Sequence, residues 1–204
     1  MEHNEHFSPD ETSTVGAAAS IPLPKERNLY FTSQVDQASI AAISKSILEI
    51  NANDEMLRKQ YAIYGMEYNP KPIKIYIDSY GGYVYQCFGL LSIMETSKTP
   101  IHTIVTGAAM SCGFMMAIHG HKRFAYKYAT LMYHQVSSGA WGKLKDMQED
   151  IEETKRLQQM IEQMTIKKTG ISLETLKDNF EKKRDWFMDA DTAIRNGCID
   201  NIIK

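Results

Sequence analysis

Apolar positions along the chain alternate between two periods. Ile40, Ile43, Ile47 and Ile50 recur three and four residues apart, which predicts a helix with one buried face, and Asp36 or Ser39 stands where its cap belongs. Residues 28–32, 73–78 and 100–106 are β-branched or aromatic runs that predict strands. The 73–78 strand runs through Ser79-Tyr80-Gly81-Gly82 into a helix predicted over 84–96. The 100–106 strand ends in Gly107-Ala108-Ala109, which reads as a tight turn, and the apolar run 114–118 predicts a helix behind Ser111. Two short strands at 122–126 and 130–133 flank Lys127-Tyr128-Ala129 and predict a hairpin, the second delivering His134 at its end.

Residues 51–54 read as the end of the first helix, and 56–72 as a surface excursion or a partner-binding loop. Over 143–168, Leu144, Met147, Ile151, Thr154, Leu157, Ile161 and Met164 form one narrow apolar stripe among charged residues. Such a helix projects and packs on another, in this chain or a neighbour's. Gly170 ends it and Ser172 opens another helix. Residues 185–187 are an extended link, 189–196 a small helix and 199–203 a last strand. Strand-helix units in succession make an α/β fold, with Gly82, Ser111 and His134 at three strand C-termini, where sites in such sheets collect.

Composition narrows the function classes. The chain has 204 residues, a net charge of −2 and 24% charged residues, which fits one domain with a sizeable core over 21–204. That balance points to neither nucleic acid nor a membrane as partner. Cys87, Cys112 and Cys198 form no CxxC pair, so neither a zinc site nor a disulfide framework is expected, and a reducing, cytoplasmic setting is. Residues 1–20, with His3 and His6, read as a disordered tail or removable leader, and no apolar run approaches membrane-spanning length. The Gly81-Gly82 doublet fits no nucleotide fingerprint, His119 and His121 read as solvated turn residues, and no metal or cofactor is indicated.

Ser111 has two readings on its own stretch. A serine before a helix is a common N-cap, and it is also a good place for a nucleophile, since free N–H groups at the helix start stabilise developing negative charge. With His134 as base, the backbone N–H of Cys112 as one oxyanion donor and that of Gly82 as a second, the residues present a serine-hydrolase set. Ala109-Met110-Ser111-Cys112-Gly113 lacks the first glycine of a G-x-S-x-G elbow, which argues against an α/β-hydrolase.

Several stretches together resemble the Clp protease proteolytic subunits, serine peptidases of the ClpP/crotonase fold. They are Tyr76-Ile77-Asp78-Ser79-Tyr80-Gly81-Gly82, Gly107-Ala108-Ala109-Met110-Ser111-Cys112-Gly113, Lys122-Arg123-Phe124 and Met132-Tyr133-His134-Gln135. The likeness continues through Thr169-Gly170-Ile171-Ser172-Leu173-Glu174, Arg184-Asp185-Trp186-Phe187 and Gly197-Cys198-Ile199-Asp200, covering residues 28–203 in one order. It implies Ser111 as nucleophile, His134 as general base and Gly82 and Cys112 as oxyanion positions. Asp185 is the triad acid by its Arg-Asp-aromatic-Phe context, with Asp178 as alternative. It also implies a handle helix over 143–168, a tetradecamer of two stacked heptameric rings, and ATP-independent hydrolysis of polypeptides fed by an AAA+ unfoldase. Activity falls on acidification, because His134 must be neutral to accept a proton. Tyr80 stands where the family usually has proline, and residues 56–70 look like an insertion. A non-catalytic ring subunit and a crotonase-type acyl-CoA enzyme are the competing expectations.

Overall fold

The computed structural model describes residues 26–139, 141–182 and 185–204; the tail read in residues 1–20 lies outside them. In order the elements are β1 (Asn28–Phe31), α1 (Gln37–Ile63), β2 (Ile73–Ser79), α2 (Val84–Thr96), β3 (Ile101–Met110) and α3 (Cys112–Ile118). They continue with β4 (Lys122–Tyr126), β5 (Thr130–Tyr133), α4 (Leu144–Lys168), α5 (Leu173–Glu181), β6 (Trp186–Asp189), α6 (Ala190–Arg195) and β7 (Asn201–Ile203). The result is a mixed α/β fold dominated by parallel strands, as the alternation of periods predicts.

Among the described residues one sheet runs β1-β2-β3-β4-β7, every neighbouring pair parallel. Alternation sets its inner face: Ile73, Ile75, Ile77 and Ser79 of β2 are buried, while Lys74 and Asp78 point out. On the outer face Tyr30 and Tyr76 stack with ring centres 5.1 Å apart. α1 packs beside α2, and α2 beside α3. Every residue of α3 is buried, which is why its sequence shows no polar face.

The predicted hairpin does not form. β4 pairs with Ile101–Met110 at positions 102–105 and β5 at 108–110, both parallel to β3, so the turn at 127–129 steps the chain along the same direction. β5 takes its antiparallel partner from β6 instead. Nor is there a turn at Gly107, since β3 continues to Met110. A Cβ at Gly107 would sit 2.8 Å from the Asp78 carboxylate, which accepts the Ala108 N–H at 2.8 Å and would have to shift to admit it.

α1 does not stop at residues 51–54 but runs to Ile63, absorbing half of the expected excursion. Its start carries a reciprocal cap, with Asp36 accepting the Ser39 N–H at 2.8 Å and the Ser39 hydroxyl accepting the Asp36 N–H at 3.0 Å. Its extension is anchored by Asp54, 1% exposed, which accepts bonds from Arg27, Tyr68 at 2.8 Å and Thr99 at 2.6 Å. These bonds and the Arg27 charge hold the Asp54 carboxyl below its ordinary value against the opposing effect of burial.

His119 also departs from expectation. It caps α3 at 3% exposure, and burial pushes its pKa down to about 4. Its Nδ1–H donates to the Met115 carbonyl at 2.6 Å. His121 is exposed, with its Nδ1 accepting the Ile101 N–H at 3.0 Å. In the N-terminal half of α4, Leu144, Met147 and Ile151 are exposed, while Leu157 and Ile161 further along are buried. No helix among the described residues is long and apolar enough to cross a membrane.

Candidate active site

β3 ends at Met110 and α3 begins at Cys112, leaving Ser111 alone at the junction. Its backbone has φ 54° and ψ −120°, the one non-glycine positive φ among the described residues. A residue held in such a region costs about 1–3 kcal/mol, so the surroundings must impose it. The Ser111 N–H is fixed to the Met132 carbonyl of β5 at 2.9 Å. The hydroxyl makes no cap hydrogen bond, so the side chain is not used as a helix cap.

The glycine doublet packs directly on this junction. Gly81 has φ 96°, and a Cβ there would lie 2.7 Å from Ser111 Cβ and 3.0 Å from the Cys112 nitrogen. Gly82 has φ 150°, and a Cβ there would overlap the Val35 carbonyl. Both therefore require glycine, one against Ser111 and one against the segment before α1. Ser79 pins the turn: its hydroxyl donates to the Ser33 carbonyl at 2.6 Å and accepts the Gly81 N–H at 3.2 Å.

Two clefts meet at this point. Gly82, Ser111 and His134 line both of them. One, of about 50 Å³, has apolar walls from Val84, Phe114, Met115 and Ile161. The other, of about 640 Å³, is open and bordered by Thr32, Gln34, Asp78 and Tyr80. Cys112 lies in the smaller cleft, its thiol donating to the Gly82 carbonyl at 3.3 Å. Cys87 donates to the Cys112 carbonyl at 3.6 Å; contact with Cys112 and burial hold its thiol well above the ordinary value, so it stays protonated.

Asp185 lines neither cleft and is exposed. The β5–β6 ladder ends at the pair Tyr133 and Trp186, the residues next in sequence to His134 and Asp185. No hydrogen bond joins Ser111, His134 and Asp185 to one another among the described residues. Asp178 sits on α5 and is ion-paired with Lys182. Sequence reasoning singled out the Gly81-Gly82 doublet but gave a site role to Gly82 alone, and none to Ser79. No group of three or more His, Cys, Asp or Glu in the described residues is placed to hold a metal ion.

A strained serine between a parallel strand and a buried helix, in clefts that a histidine also lines, is suited to acyl transfer. Comparison with known proteins points the same way. The family profile described as Clp protease matches residues 12–204. A Bacillus licheniformis protein named ATP-dependent Clp protease proteolytic subunit 2 is 35% identical over 156 residues, 74% of this chain and 81% of the relative.

Proposed function

The chain belongs to the Clp protease family and is a serine endopeptidase, and from that premise we propose that Ser111 is its nucleophile and His134 its general base. Asp185 orients His134, and the N–H groups of Gly82 and Cys112 bind the oxyanion. The observation that carries this reading is the Ser111 backbone: its strained φ sets the residue at the meeting point of two clefts that His134 also lines. Family membership carries ring assembly and peptide substrates. Two stacked heptameric rings, an AAA+ unfoldase feeding them and a cytoplasmic setting are the finer parts of the proposal.

In the first step Ser111 Oγ attacks the peptide carbonyl carbon while His134 takes its proton. The negative oxygen is held by the two N–H groups, a contribution of about 100- to 1,000-fold per donor. His134 then gives its proton to the departing amine, leaving an ester on Ser111. Water attacks that ester, passing its proton to His134, and the acid product leaves as Ser111 is restored. The apolar walls of the smaller cleft suit an apolar side chain beside the bond being cut.

The test is intact mass after incubation with a fluorophosphonate, on wild type and Ser111→Ala, with both proteins sized. One phosphonyl adduct per wild-type chain and none on Ser111→Ala is the expected result. No adduct on a folded, assembled wild type overturns the assignment. Asp185→Asn lowers kcat by ~10⁴-fold if Asp185 is the orienting acid; the same loss in Asp178→Asn alone reassigns that role.

A further inference from the structure

α4 is charged along most of its length, yet Gln158 on it is only 8% exposed. A buried amide must find partners, and this one finds three. Its Oε1 accepts the Val136 N–H at 2.8 Å. Its Nε2 donates to the Tyr133 hydroxyl at 3.3 Å and to Glu162 Oε1 at 2.8 Å. The backbone N–H of Val136 can only donate, so the amide has one possible orientation. Tyr133 precedes His134 and Val136 lies two residues beyond it, so Gln158 grips the chain on both sides of His134.

Two further contacts make this grip stiff. One helical turn earlier on α4, Thr154 and Ser138 hydrogen-bond through their hydroxyls at 2.8 Å. On its other side the Tyr133 ring packs edge-on against Phe114 of α3, with ring centres 5.8 Å apart. Burial pushes the Tyr133 hydroxyl up to about 12, so it stays protonated and offers its oxygen to Gln158.

We propose that Gln158 is a positioning residue that holds His134 in place by bridging α4 to Tyr133 and Val136; this rests on His134 being the general base. α4 then sets the reach of the base toward Ser111 as well as supporting the body.

The experiment compares wild type, Gln158→Leu, Gln158→Glu and the exchanged pair Gln158→Glu/Glu162→Gln, each isolated as the assembled particle. A short fluorogenic peptide gives kcat and KM, and a fluorophosphonate gives the Ser111 acylation rate. Gln158→Leu is expected to lose about tenfold to a hundredfold in kcat and in acylation rate with KM within twofold, the scale of a misplaced catalytic group. The exchanged pair keeps an acceptor for Val136 and a donor-acceptor contact with position 162, and should return to within about threefold of wild type while Gln158→Glu alone stays slow. Wild-type kcat and acylation in assembled Gln158→Leu overturns the proposal. If that variant does not assemble, wild-type rates in Gln158→Glu overturn it, and a slow Gln158→Glu rescued by the exchanged pair supports it. Absence of Ser111-dependent turnover in the wild type would instead defeat the assignment of the site.

Discussion

Replacing Gly81 by alanine tests how closely the glycine turn sets the serine. The added Cβ would lie 2.7 Å from Ser111 Cβ, 2.8 Å from the Met110 carbonyl and 3.0 Å from the Cys112 nitrogen. Ordinary contact begins near 3.4 Å, so Ser111 must retreat by 3.4 − 2.7, or 0.7 Å, or the turn must shift by as much. The φ of 96° also has to be held by a residue with a side chain. A displacement near 1 Å at a reacting group is worth about a hundredfold in rate, and Cys112 N–H moves with it. Gly81→Ala is therefore expected to lose about 30- to 100-fold in kcat/KM on a short fluorogenic peptide, with Ser111 acylation slowed in parallel. Gly89→Ala is the control. Nothing lies within 4 Å of its added Cβ on the exposed side of α2, and a helical alanine gains about 1 kcal/mol over glycine. It should keep full activity and unfold later. Gly81→Ala within threefold of wild type in both assays would refute the reasoning.

Two predictions concern stability. Asp54→Leu leaves the Arg27 guanidinium, whose side chain is 10% exposed, without its carboxylate, and should cost about 3–5 kcal/mol in denaturant unfolding; pairing it with Arg27→Met should recover most of that loss. His119 is neutral in the fold, its value lowered from 6.5 to about 4 by burial. A lowered value means the stabilisation is whole above pH 6.5 and is lost as pH falls toward 4, by about 3 kcal/mol at the lower end. His119→Leu should flatten the pH dependence of unfolding across that window, and an unchanged slope would count against it.

What was legible in the sequence follows from where each signal originates. β2 and α2 were read to within a residue because isoleucine alternation and a closed helical period are local properties. The extension of α1 was not, because past Ile50 its burial depends on Asp54, whose partners Arg27, Tyr68 and Thr99 come from three other segments. β4 and β5 were found as strands but mispaired, since a short turn looks the same whether it reverses the chain or steps it sideways. Ser111 was placed correctly between strand and helix, but its positive φ is imposed by β5 and by Gly81, and no local propensity announces it. His119 read as solvated because its neighbours are glycine and His121; it is buried because it ends a helix that is buried along its whole length, with Glu95 of α2 and Lys168 of α4 nearby.

The Ser111 N–H is tied to β5, and β5 is held by β6 near the end of the chain. Translation runs in the opposite sense to this dependence. A chain emerging from the ribosome exposes Ser111 long before residues 186–189 exist to complete the ladder that fixes its neighbour. An unfinished or prematurely ended polypeptide thus carries the serine without the scaffold that shapes it. The hydroxyl is made before the strands that shape its setting are complete.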